Sequence, residues 1–247
     1  EDLNARETRG NFEAWRDTMA DRPRTADYAM TVAARLLSWA FKAGKLDVNR
    51  LAHADRLYNA DRSELVWTPA KIAALEAAAY PELRDAFRFA LYTMQREGDC
   101  VVFGRQHVKD GRFRIRQQKT GAIAVGPVLA PVQAIIDRAP KDRLEFLGAR
   151  SGKKWGADHL RHEFRKACSK AGLPEMHFHD ARGTGITMAV AAGWDAGQIA
   201  AMSGLTLTES SRIIESYFAR GALDAAWPEN PYRTESGNRG GNRDVQN

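Results

Sequence analysis

Arg96, Lys119, His179, Arg182 and Tyr217 are residues whose types and order could do chemistry together. Arg96 lies in "TMQREGD", after an apolar helical pattern and before Glu97 and Asp99. Lys119 lies in "QKTG", at a turn between two strand patterns, and Tyr217 lies in "IESYFAR", near the end of a later helix. His179 and Arg182 open the stretch "HDARGTGIT"; three residues apart on a helix, they share a face and point at a common target. Singly, each has a structural explanation: an Arg96–Asp99 ion pair, a solvated turn lysine, a half-buried tyrosine, a surface helix start with Asp180 set against its dipole. As a set they suit phosphoryl transfer without a metal. Two guanidiniums can clamp the non-bridging oxygens of a phosphodiester and stabilise its pentacoordinate transition state. A tyrosine oxygen can attack phosphorus, a lysine can protonate the leaving alkoxide, and a histidine can manage the nucleophile's proton.

Such residues need elements to hold them. "NFEAWRDTMAD" and "TADYAMTVAARLLSWAFKAG" read as helices, with Met30, Ala33, Leu37, Ala40 and Phe41 on one stripe and Gly44 as a stop. Residues 47 to 66 are polar and aperiodic and read as a linker. "WTPAKIAAL" opens a second region, with Thr68 as cap and Pro69 in the first turn, and "PELRDAFRFALYTM" continues as a buried helix. The period then shortens: "CVVFGRQHV", "RFRIRQQ" and "AIAVGPVLA" read as strands, with "KDG" turning the first into the second, until Pro127 and Pro131 end the pattern. Helices are expected over 131–139, 158–171, 180–192, 195–203 and 207–219. The fold class is therefore mainly α with a small three-stranded antiparallel sheet. The division is a helical domain over 1–62, a catalytic-type domain over 63–228 and a disordered tail over 229–247.

The 247 residues are 44% hydrophobic, enough for a core, and carry 37 Lys and Arg against 31 Asp and Glu, a net charge of +6. Arginine-rich basic character favours a polyanionic partner. No apolar run approaches a membrane span, and nothing resembles a secretion signal. Cys100 and Cys168 form no spacing motif, which fits a reducing cytosol. The chain begins at Glu1 rather than methionine and is expected to be a trimmed piece whose N-terminal part is missing.

The ordered set resembles the tyrosine recombinases, or phage-type integrases. Their pattern is an arginine in "T-G-x-R-x-x-E/D", a hairpin "K-T-G", "H-x-x-R", "G-H/W" and a late tyrosine. "TMQREGD" supplies Arg96 with Asp99 in the supporting acidic position, "QKTG" supplies Lys119, "HDAR" supplies His179 and Arg182, and "ESYFAR" supplies Tyr217. The likeness covers about residues 66 to 228, and the helical segment before it resembles that family's core-binding domain. It implies an integrase-type fold and a site-specific recombinase that cleaves and rejoins double-stranded DNA. Tyr217 would be the nucleophile, joined to a 3′-phosphate, and no metal or nucleotide cofactor is implied. It further implies self-association on DNA, from dimer to tetramer, no membrane, and a bacterial or phage-encoded protein acting in the cytoplasm. Gly183 and Gly185 would then permit close packing or approach of DNA.

The pattern departs at one point: where it places a histidine or tryptophan, "MSGLTLTES" has Leu205, which cannot hydrogen-bond to phosphate. Tyr217 follows twelve residues later, a long connection for the family. Slow catalysis and an inactive DNA-binding relative both fit this. A metal-dependent phosphodiesterase using His177 and His179 ("HFH"), or His159 and His162 ("HLRH"), lacks a completing carboxylate cluster. His107 reads as a solvated strand residue.

Overall fold

A computed structural model describes residues 2–58, 65–227 except 221–226, and 229–233, without the side chains of 217–220. The chain divides into two compact units, Glu1–Arg62 and Ser63–Asn247.

In the first unit, α1 (Thr8–Asp17) packs on α2 (Pro23–Lys42), which starts with Pro23 in its first turn. Met30, Leu37 and Leu51 form a small core. Phe41, expected on that stripe, is 49% exposed, because the inward face of α2 is filled from Ala33 and Ala34 instead. The segment expected as a linker is folded against α2 as far as residue 58. The Asp27 carboxylate accepts the Leu57 and Tyr58 backbone N–H groups, and the Asn49 amide donates to Ala34 O and Ser38 Oγ. Buried Arg16 donates to Asp55 O. Polarity misled here because the segment is held by hydrogen bonds rather than by periodic apolar residues.

The second unit is built on α4 (Pro81–Thr93), whose Leu83, Phe87, Phe89, Ala90 and Leu91 are fully buried. Before it, α3 (Pro69–Ala78) is capped by Thr68 Oγ1, which accepts the Lys71 N–H at 3.3 Å. α5 (Glu97–Cys100) is a single turn. The sheet is β1 (Val108–Lys109), β2 (Arg112–Arg116) and β3 (Ile123–Pro127), antiparallel in the order β1-β2-β3. Phe113 faces Gly126 and Ile115 faces Ala124 in register, so β2 buries its aromatic and aliphatic side chains and turns Arg112, Arg114 and Arg116 outward. Asp110 and Gly111 both hold positive φ, as the tight β1–β2 turn requires. Five helices follow: α6 (Ala130–Arg138), α7 (Ala157–Lys170), α8 (Phe178–Ala191), α9 (Ala196–Ser203) and α10 (Leu207–Arg220). The chain is mainly α with one small three-stranded antiparallel sheet.

Three expectations are corrected in this unit. The strand expected over "CVVFGRQHV" shrinks to Val108–Lys109, because the preceding backbone bonds elsewhere: Arg105 N donates to Leu144 O, and Phe146 N to Phe103 O. His107 lies in a 3-10 turn, Arg105–His107, where its half-buried ring accepts the Gly104 N–H and rests near Phe103. The tail expected to be disordered from 229 instead begins packed. Asn230 and Tyr232 are buried, and the Tyr232 hydroxyl donates to Leu91 O at 2.8 Å. Trp194 Nε1 donates to Tyr232 O, and Trp227 Nε1 to Trp67 O. The two aromatic residues, Trp227 and Tyr232, make a polar-looking stretch into a strap. Residues 234–247 lie outside the described residues.

Candidate active site

The end of α4 sets the site. Met94 takes a left-handed conformation (φ 56°) and breaks the helix, Gln95 turns inward, and Arg96 caps α5 with extended backbone. One turn on, Asp99 is buried and accepts the Gln118 N–H at 2.8 Å, which pins the β2–β3 hairpin to α5. Asp99 thus serves the hairpin backbone, and the Arg96 guanidinium bonds to Gln117 Oε1 at 2.6 Å. That hairpin carries Lys119, whose side chain is exposed and lines a cleft of about 390 Å³ together with Arg96, Asp99, Arg165 and His179.

α8 brings the opposite wall. Its first turn is closed by Asp180, whose carboxylate accepts the His177 N–H at 2.6 Å. His179 opens on the cleft. Partial burial, then the Arg182 and Arg96 charges, hold its pKa below 6.5 against the opposing pull of Asp180. The ring is therefore mostly neutral at pH 7 and able to accept a proton. One turn further, Arg182 is buried. Its Nη1 donates to the Met94 carbonyl, while Nη2 is buried with no hydrogen-bond partner among the described residues. Burial, then the charge of Arg96, depress its pKa to about 10, with Asp99 pulling the other way. Two guanidiniums whose charges repel favour an anion near them, and the N-terminus of α8 adds to that.

The two glycines of α8 differ. A Cβ at Gly185 would lie 2.2 Å from Leu91 O, so this glycine lets α8 lie on α4. Gly183 faces open space. Leu205 is half-buried and packs on the core just after Gly204, which ends α9 in a left-handed conformation. Tyr217 falls within α10, and its side chain lies outside the described residues.

Of the sequence candidates, Arg96, Asp99, Lys119 and His179 line one cleft, and Arg182 is buried and does not line it, although its charge is felt by Arg96 and His179. Arg161 and Arg165 also border the cleft, but Arg161 is engaged by Glu97 and Asp158. Buried Gln117 and Gln95 were missed. Gln117 continues the inward alternation Phe113, Ile115, Gln117 along β2, which marked it as a polar residue aimed at the core. The histidines proposed for a metal site do not assemble one: His159 lies against Trp155, and no group of three or more His, Cys, Asp or Glu is placed to hold a metal among the described residues. No helix among the described residues is long and apolar enough to cross a membrane.

No family model matches the sequence, and no curated protein matches it in sequence. Solved structures do match in fold. A lambda integrase dimer bound to a COC' core site superposes with a TM-score of 0.68 at 17% identity, over 83% of this chain and 64% of that one. A lambda integrase tetramer bound to a Holliday junction gives 0.66 at 17% identity, over 80% and 64%. The Tn1549 transposon integrase in complex with circular intermediate DNA gives 0.63 at 14% identity, over 87% and 84%. The chain has the fold of the tyrosine recombinases. It spans 64% of the length of those two lambda integrase chains.

Proposed function

We propose that this protein is a site-specific DNA recombinase acting through a 3′-phosphotyrosine. The observation that carries the reading is the pairing of Arg96 with buried, partly unsatisfied Arg182 beside the cleft that His179 and Lys119 border. In the reaction, the Tyr217 oxygen forms a bond to phosphorus and the P–O5′ bond breaks. Neutral His179 takes the phenolic proton, Lys119 delivers a proton to the departing 5′-oxygen, and the arginines hold the two non-bridging oxygens. Attack by a 5′-hydroxyl from another strand reverses each transfer, so the phosphodiester energy is conserved and no metal is called for. Glu1–Arg62 is assigned as the core-binding part of a DNA clamp, and the integrases of like fold, bound to DNA as dimer and tetramer, support assembly of several copies on duplex DNA. Arg165, exposed at the cleft, is the better candidate phosphate contact, since Arg161 must first leave Glu97.

A second reading, a DNA-binding relative with weak or no catalysis, is favoured by Leu205 alone. The deciding experiment offers the protein a randomised pool of nicked duplexes and seeks a covalent adduct that survives denaturation. An adduct lost in Tyr217→Phe supports the recombinase. Tight duplex binding with no adduct from any sequence supports the second reading.

A further inference from the structure

The geometry assigns Gln117 as a positioning residue that sets Arg96 and locks the lysine hairpin to the end of α9, so that three segments of the site move as one. The assignment rests on the recombinase reading for its catalytic consequence. Gln117 is fully buried, and each half of its amide is used. Oε1 accepts from Arg96 Nη1 at 2.6 Å and from Thr120 Oγ1, inside the turn that carries Lys119, at 3.2 Å. Nε2 donates to Gln95 Oε1 at 2.9 Å and to the Ser203 carbonyl, in the last turn of α9, at 2.7 Å. Gln95 repeats the link, donating to Met202 O at 2.8 Å. Space for the amide is made by Gly204: a Cβ there would lie 2.8 Å from Gln117 Cδ, Nε2 and Oε1.

A buried amide with two acceptor and two donor contacts has one satisfactory orientation, so it fixes whatever it touches. Arg96 is the group with most to gain. Its neighbour Arg182 repels it, and Asp99 is committed to the Gln118 N–H, so the Gln117 carbonyl is the acceptor that fixes its direction among the described residues. A neutral acceptor holds the guanidinium without cancelling its charge, which a carboxylate would do. The Arg96 charge stays available to phosphate. From Ser203 the chain runs through Leu205 into α10, which carries Tyr217, so the amide also fixes the point from which the nucleophile's helix departs.

Gln117→Met keeps the volume and removes both halves of the amide. Gln95→Met removes an equally buried amide without touching Arg96. Arginine side-chain NMR of the full chain, assigned through Arg96→Lys, should show a slowly exchanging Arg96 Nη proton in the wild type and in Gln95→Met, and not in Gln117→Met. On a duplex selected by the wild-type protein, Gln117→Met should slow single-turnover adduct formation roughly tenfold to a hundredfold, with DNA affinity within about twofold. No protected Arg96 proton in the wild type, its survival in Gln117→Met, or an equal rate loss in Gln95→Met overturns the assignment. If Gln117→Met does not fold, Gln117→Glu, which keeps an acceptor, should keep the Arg96 signal, and its loss overturns the assignment. If the wild-type protein forms no adduct on any duplex, the recombinase reading fails, while the arginine resonances still decide what orients Arg96.

Discussion

Arg182 is tied to Met94: its Nη1 donates to the carbonyl of the left-handed residue that breaks α4. A non-glycine residue in that conformation is strained, and here the strain turns a carbonyl toward the second guanidinium of the site. One edge of Arg182 is anchored, and Nη2 is left buried without a partner among the described residues.

Arg182 should therefore report anion binding without any DNA. An ion that bridges Arg182 and Arg96 stabilises the fold by mass action. Sulfate is expected to raise the melting temperature of the wild-type protein above a chloride control of equal ionic strength, and Arg182→Met should lose most of that difference. An identical sulfate response in the variant would show that the ion binds elsewhere.

His179 should titrate below 6.5, since burial and the two arginines disfavour its charged form. The sign follows: a histidine whose folded pKa is depressed contributes stability above its unfolded pKa and loses it as pH falls through the folded value. If neutral His179 takes the tyrosine proton, cleavage should hold steady near pH 7 and decline on the acid side, below pH 6.5. Occupancy of the cleft by a phosphodiester should move the titration upward. NMR titration of the imidazole with and without DNA reads both, and a free-protein pKa above 6.5 contradicts the electrostatics.

Tyr217→Phe is expected to keep DNA binding and abolish the covalent adduct. Tyr232 cannot substitute for it, because burial holds its phenol far from ionisation and its hydroxyl is spent on Leu91 O. Tyr232→Phe should cut stability by about 0.5–1.5 kcal/mol, the usual worth of one hydrogen bond, and leave adduct formation intact. Denaturant melts and the adduct assay separate the two tyrosines.

Gly185→Ala tests the packing that carries α8. The new methyl would meet the Leu91 carbonyl at 2.2 Å, and backbone cannot swing aside as a flexible side chain does. A loss of about 1–3 kcal/mol is expected. Gly183→Ala, in open space, should be neutral or slightly stabilising, since alanine is the better helix former. A comparable loss at both positions would mean that the glycines matter for something other than the α4–α8 contact.

The elements that were legible in the sequence are those whose signals are local. Thr68 with Pro69, the Asp110–Gly111 turn and the apolar period of α4 each mark an element from within a few residues. The candidates Arg96, Lys119, His179 and Arg182 come from type and order, and the first three line one cleft. What stayed hidden depends on distant partners. The strand expected at Cys100 is short because its backbone bonds to residues 144–146. The strap at Trp227–Tyr232 looks like a polar tail until Leu91 and Trp194 receive it. Gln117 carries a period-2 signal, yet its meaning requires Ser203, 86 residues away in sequence.

Leu205 remains the test of whether the site is complete. It follows Gly204 at the end of α9, its own N–H donates to Ser203 Oγ, and its side chain packs half-buried on the core. If Leu205 holds the position that the resemblance gives to a histidine or tryptophan, an active recombinase of this sequence would cleave with one transition-state donor fewer than that pattern provides. Losing one such donor costs about 2.7–4 kcal/mol, roughly a hundred- to a thousand-fold in rate. Arg96, Arg182, His179 and Lys119 remain, so slow cleavage is expected rather than none. Thr206, the hydroxyl next in sequence, does not fill the gap: it donates to the Glu209 carboxylate at 2.8 Å. Leu205→His should then accelerate adduct formation in a single-turnover assay with little change in DNA affinity, because the donor acts on the transition state and not on the bound duplex. Since the leucine gives up core contacts on replacement, a modest fall in melting temperature should accompany the gain. A histidine variant that folds and binds DNA but cleaves no faster would mean that the site has adapted to leucine. Absence of adduct from both proteins, on a duplex each binds tightly, would favour the inactive DNA-binding reading.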